Sequence, residues 1–81
     1  MNTREFDSLF GCNLMVQRKI KRISQAKLAR AVGVSRQTIS NWEGGYTHPD
    51  IIYLVKLAEV LEIKIDSLVQ KPKKEVDDNA T

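Results

Sequence analysis

Seven basic side chains, Arg18, Lys19, Lys21, Arg22, Lys27, Arg30 and Arg36, fall between Asp7 and Glu43, an interval with no acidic residue inside it. Such a stretch is either the solvated face of an ordinary helical protein or a surface for a polyanion, because phosphate backbones attract lysine and arginine. Within it, Arg36-Gln37-Thr38-Ile39-Ser40-Asn41-Trp42-Glu43 sets Ile39 and Trp42 three apart, with Arg36, Gln37, Ser40 and Asn41 on the other face. That polar face either keeps a surface helix soluble or presents donors and acceptors to a partner. Little else in the chain could do chemistry. No Ser/His/Asp or Cys/His constellation, glycine-rich phosphate loop or carboxylate pair stands out, and so short a chain leaves little room for a pocket. Cys12 is the only cysteine, which excludes an internal disulfide, and no Cys/His cluster has metal-ligand spacing. The expectation is a protein with no catalytic residue, no metal, no cofactor and no small-molecule ligand.

The elements that must position these residues are helices. The chain has 81 residues, enough for one modest core, and its 42% hydrophobic and 28% charged residues are those of a soluble globular domain. No apolar run approaches the roughly 20 residues of a membrane span. The opening residues also lack the basic start and apolar stretch of a secretion signal, so the cytoplasm is the expected compartment. Apolar residues recur three and four apart, which predicts an all-α fold. The first helix is expected over Leu9 to Lys21, with Phe10, Leu14 and Ile20 inward and residues 1–8 as an N-terminal extension. Ser24 caps a second helix, Gln25 to Val32, which Gly33 ends. Ser35 caps a third, Arg36 to Glu43, which Gly44-Gly45 ends. After the Tyr46-Thr47-His48-Pro49 loop, a fourth helix from Asp50 to Leu61 carries Ile51, Leu54, Leu57, Ala58 and Leu61 as a buried stripe. A short fifth helix contains Ile65, Asp66 and Leu68. The expected core is Leu14, Leu28, Ala29, Val34, Ile39, Trp42, Leu54, Leu57, Leu61 and Leu68. Residues 71–81, dense in mixed charge, read as a flexible tail.

Ser24 to Ala29, followed by Gly33-Val34-Ser35-Arg36-Gln37-Thr38-Ile39-Ser40-Asn41-Trp42-Glu43-Gly44-Gly45, closely resembles the Cro and phage-repressor (C1) type of helix-turn-helix domain. The match continues through Pro49, Leu54, Leu57, Ala58, Leu61, Ile65 and Leu68, inside a domain spanning 9–70. The resemblance implies a compact five-helix bundle with the helix-turn-helix at helices two and three. It also implies a transcriptional regulator, a repressor above all, that binds double-stranded DNA as a nucleoid-associated homodimer on a palindromic operator. Arg36 and Gln37 match the leading positions of the helix that enters the major groove. Arginine suits guanine O6 and N7 there, and glutamine suits adenine. Asn41 matches a further base-contact position, with Ser40 and Thr38 in support. Gln25 matches a phosphate contact, and the loop through Gly45, Tyr46 and Thr47 matches a second phosphate clamp whose glycines let backbone N–H groups approach. Lys21 and Arg22 make a basic corner suited to phosphate. Arg18 and Glu43 match a structural bridge that braces the recognition helix. Two departures stand out, since Arg22 and Glu62 occupy positions where many relatives have glycine. Ile63, Ile65, Val69 and the exposed side of helix four, including Ile52, Tyr53 and Val55, are candidates for a dimer interface or for completing the monomer core. A protein-binding adaptor on the same fold would lack the polar side chains of the third helix, which this chain retains.

Overall fold

An asparagine sets the start of the first helix. Asn2 Oδ1 accepts the Glu5 N–H at 2.8 Å and the Glu5 carboxylate takes the Asn2 N–H at 2.9 Å, a reciprocal cap for donors without intrahelical acceptors. In the computed structural model, which describes residues 1–71, helix α1 therefore runs Thr3–Ile20. It opens well before the expected Leu9, so that Thr3 to Ser8 form its first turns behind the Asn2 cap. The expected tail lies outside the described residues apart from Lys71.

The remaining helices are α2 (Gln25–Val32), α3 (Arg36–Glu43), α4 (Ile51–Leu61) and α5 (Asp66–Val69), and the described residues form no strand. Side chains of Ser24, Ser35 and Asp50 accept the N–H groups of Lys27, Thr38 and Tyr53, fixing where α2, α3 and α4 begin. Asp50 thus precedes α4 as its cap. Three helix ends share one device, in which two successive residues just beyond the end turn their N–H groups back to carbonyls of the last turn. At α1 these bonds are Arg22 N–H to Lys19 O at 3.0 Å and Ile23 N–H to Arg18 O at 3.4 Å. At α4 they are Glu62 N–H to Glu59 O at 3.1 Å and Ile63 N–H to Ala58 O at 3.0 Å. The device needs a left-handed residue, and Arg22 (φ 59°), Gly45 (φ 78°) and Glu62 (φ 56°) supply it.

Helix α1 packs on α3 and α5, and α2 packs on α3 and α4. Phe10, Leu14, Leu28, Ala29, Val32, Ile39, Trp42, Leu57, Ala58, Leu61 and Leu68 form the buried core between them. Val34 and Leu54, expected inside, are half-buried and only flank this core. Ile20 and Ile51, expected to face inward, are 63% and 66% exposed. Both occupy a terminal turn of their helix, past the neighbours that cover its middle. Two residues of α1 fasten it to the rest. Gly11 is buried where α1 crosses the end of α3, and a Cβ there would press on the Trp42 carbonyl oxygen and lie 2.7 Å from that of Glu43. Asn13 Nδ2 donates to Leu68 O at 3.0 Å and Gln70 O at 2.9 Å, holding the carboxyl end of α5.

Candidate nucleic-acid interface

Helix α3 has eight residues, too few to be stable or to hold a direction alone, so its setting depends on its anchors. Ile39 and Trp42 bury one face, and the Trp42 ring stands 6.1 Å from that of Tyr53. At the carboxyl end Glu43 is buried and meets Arg18 in a two-pronged bridge. Arg18 Nε donates to Oε2 at 2.6 Å and Nη2 donates to Oε1 at 3.1 Å, while Nη1 donates to Ile23 O at 2.9 Å. The hydrogen bonds to Glu43 outweigh the opposing effect of burial and raise the Arg18 pKa above its ordinary value. A folded-state pKa raised in this way gives stability that is complete below the ordinary arginine range and is lost only in stronger alkali. The brace is therefore constant across neutral pH.

The bridge continues toward the leading end of α3. Gln25 Nε2 donates to Glu43 Oε1 at 3.0 Å, and Gln25 Oε1 accepts from Arg36 Nη1 at 3.1 Å. A carboxylate only accepts, so Glu43 decides which end of the Gln25 amide is nitrogen and turns the oxygen toward Arg36. Gln25, matched from sequence to a phosphate contact, thus has both ends of its amide engaged, with one Nε2 hydrogen left over. Beside this relay, Gln37 Nε2 donates to Asn41 Oδ1 at 3.0 Å. Arg36 and Gln37 are exposed, while Thr38, Ser40 and Asn41 are half-buried. The Thr38 hydroxyl lies 2.9 Å from that of Ser35, at the cap and not at the tip of the polar face.

Lys21 and Arg22 stand exposed at the corner between α1 and α2. The loop after α3 differs from expectation. The N–H groups of Gly44, Gly45 and Tyr46 donate to Ser40, Trp42 and Asn41 carbonyls, so closing the helix consumes the amides expected to face a phosphate. The loop exposes Thr47, His48 and the side chain of Tyr46, which is 79% exposed. Gly44 has an ordinary helical φ of −78°, and a Cβ there would stand 2.7 Å from the exposed Tyr46 ring, which is free to swing aside, so neither backbone nor space demands glycine at this position. His48 Nδ1 lies 2.7 Å from Asp7 Oδ1, with the ring edge-on to Phe6, which ties the loop to the first turns of α1. Sequence reasoning missed Phe6, Asp7, Gly11 and Asn13. The Asn2-x-x-Glu5 capping pattern and the spacing of Phe6, Phe10 and Leu14 were the signals for the first two.

Among the described residues no group of three or more His, Cys, Asp or Glu could hold a metal ion. Nor is any described helix long and apolar enough to cross a membrane. Of the interface candidates, Tyr53, Ile63, Ile65 and Val69 are half-buried against the core, whereas Ile52 is 63% exposed.

The helix-turn-helix family model matches residues 14–68. The chain belongs to the Cro/C1-type helix-turn-helix family. It is 37% identical over 70 residues to repressor protein C2 of Salmonella phage P22, covering 86% of this chain and 31% of that repressor. It is 40% identical over 52 residues to the cryptic phage CTXphi transcriptional repressor RstR of Vibrio cholerae, covering 64% of this chain and 46% of RstR. The curated relatives it matches are longer, and the chain spans between 31% and 57% of their length. Among solved structures, the P22 c2 repressor in complex with a synthetic operator superposes with TM-score 0.73 at 37% identity, over 76% of this chain and 94% of that one. The restriction-modification controller protein C.AhdI of Aeromonas hydrophila gives the same score and coverage at 31% identity. The family is one of transcriptional regulators and not of enzymes.

Proposed function

We propose that this chain is a sequence-specific repressor that reads the major groove of a palindromic double-stranded DNA operator as a homodimer. The observation that carries the reading is the exposed leading face of α3, Arg36 and Gln37 with Asn41 behind, on a helix braced at its far end by Arg18 and Glu43. An arginine and a glutamine at that end suit guanine and adenine edges. A braced helix delivers them at a fixed angle. Thr38 and Ser40 lie closer to the scaffold and assist. The first N–H groups of α2, the remaining Gln25 hydrogen, the hydroxyls of Tyr46 and Thr47, and the cations Lys21 and Arg22 are available for phosphates, which position the reader. Gly45 serves that surface by turning the chain, not by donating to it. Such a protein works in the cytoplasm on the nucleoid. The retained polar face of α3 favours this reading over a protein-binding adaptor.

The test is selection of bound sequences from a random double-stranded DNA pool at stated salt. A consensus with two inverted half-sites is expected. Equal binding of all sequences by folded protein overturns the reading, and a selective protein partner recovered instead promotes the adaptor.

A further inference from the structure

We infer that His48 is a proton-dependent phosphate contact, its ring held by Asp7 so that only the protonated imidazole donates to the DNA backbone. This contact rests on the reading of the chain as a DNA reader and adds to it a residue and a pH dependence. His48 is the chain's single histidine and stands exposed in the loop that carries Tyr46 and Thr47. Its Nδ1 lies 2.7 Å from Asp7 Oδ1, and the Asp7 side chain is 11% exposed against 46% for the imidazole. Nε2, the other ring nitrogen, has no hydrogen-bond partner among the described residues. The backbone N–H groups of Thr47 and His48 likewise donate to no described residue. Unengaged loop amides are donors that phosphates take up, so an anion beside His48 has partners besides the ring.

The Asp7 carboxylate decides what Nε2 can do. A carboxylate only accepts, so the hydrogen of a neutral His48 ring sits on Nδ1 and Nε2 carries a bare lone pair. Phosphate oxygens are acceptors too, and two acceptors make no bond. Protonation puts a second hydrogen on Nε2 and makes the ring a cation, so the same atom then donates to phosphate. DNA binding therefore takes up a proton at His48, and by linkage affinity rises as pH falls through the range where imidazoles titrate. Asp7 is a positioning residue here, since it touches the ring and not the DNA. The ring faces Asp7 and Phe6 of α1. Arg4, one turn before Asp7, lines a groove with Asp7 and Tyr46, and Asp50, two residues after His48, is bonded to the Tyr53 N–H as the α4 cap. Of these residue types only histidine ordinarily changes charge near neutral pH, so the dependence belongs to His48.

DNA affinity at constant salt across about pH 5.5 to 7.5 tests the contact, on the selected duplex and on a mixed-sequence duplex, with thermal melting to verify folding. A chain's amino-terminal amine ordinarily titrates just above this range, so the difference between wild type and His48→Gln is the quantity read. Wild type is expected to weaken about tenfold as pH rises, and His48→Gln, neutral throughout, to bind weakly at low pH and lose most of that slope. Asp7→Asn should flatten the curve from the other end. Its amide can donate to Nδ1, which moves the neutral ring's hydrogen to Nε2 and preserves binding at high pH. Long-range proton–nitrogen NMR of the free wild-type chain, which needs no variant to fold, should find the neutral ring's hydrogen on Nδ1. Parallel curves for wild type and His48→Gln, a folded Asp7→Asn with the wild-type slope, or a neutral ring hydrogen on Nε2 each overturn the inference. A palindromic consensus recovered in any of those cases leaves the DNA reading standing. Conversely, a His48-dependent slope on both duplexes with no preferred sequence sustains the contact and removes the sequence-specific reading.

Discussion

Arg22 and Glu62 carry a Cβ through left-handed backbone that glycine enters freely, at a conformational cost of roughly 1–2 kcal/mol each. Glycine is also more flexible unfolded, which offsets part of the relief. Glu62→Gly is expected to stabilise the fold by about 0.5–1 kcal/mol, read as a higher urea midpoint at unchanged slope. Arg22→Gly should show the same gain while weakening DNA binding, since a cation leaves the basic corner. Glu43 presents the opposite case. Glu43→Ala leaves the Arg18 guanidinium, whose side chain is 11% exposed, without its carboxylate. It should cost about 3 kcal/mol in chemical denaturation, well above a surface bridge. Gln37→Ala separates reading from folding. Stability should stay within about 0.5 kcal/mol, while selected DNA loses its preference at one base pair of each half-site.

At the scale of elements, the contact between α1 and α3 is set by the absence of a side chain at position 11. Alanine is the better helix former by about 1 kcal/mol, yet Gly11→Ala drives a methyl group into backbone carbonyls that cannot step aside. A net loss of about 1–3 kcal/mol is expected, visible as a lower melting temperature. Helix α5, four residues long, depends similarly on Asn13. In Asn13→Ala its amides should exchange with deuterium faster while those of α2 and α3 hold, and retained protection in α5 would refute the clasp. These elements were unequally legible in the sequence. The bounds of α2 and α3 followed from Ser24, Gly33 and Ser35 because caps act locally. The start of α1 is set by the Asn2–Glu5 box, and the apolar spacing of Phe10 and Leu14 alone does not extend the helix that far. Gly11, Asn13 and the Gln25 relay were not legible at all. Their partners lie far along the chain and meet them only through the packing of whole helices.

For the molecule as a whole, a net charge of +3 is modest, but the seven cations between Asp7 and Glu43 meet no anion within that interval, and it is this uneven placement that suits the proposed DNA-facing surface. Lys21→Ala should weaken binding to all sequences alike and lower the slope of affinity against salt by about one, whereas a sequence-dependent loss would mean that Lys21 touches bases. The polar face was legible as residues, but its internal wiring was not. That wiring bears on how such a regulator changes over generations. Arg36 is held by Gln25 and Gln37 by Asn41, so a single exchange at either reading position strands the residue that supported it. Descendants that acquire new operators should therefore differ by couplets, 25 with 36 and 37 with 41, and the commonest intermediate is a chain that still folds but reads its target loosely.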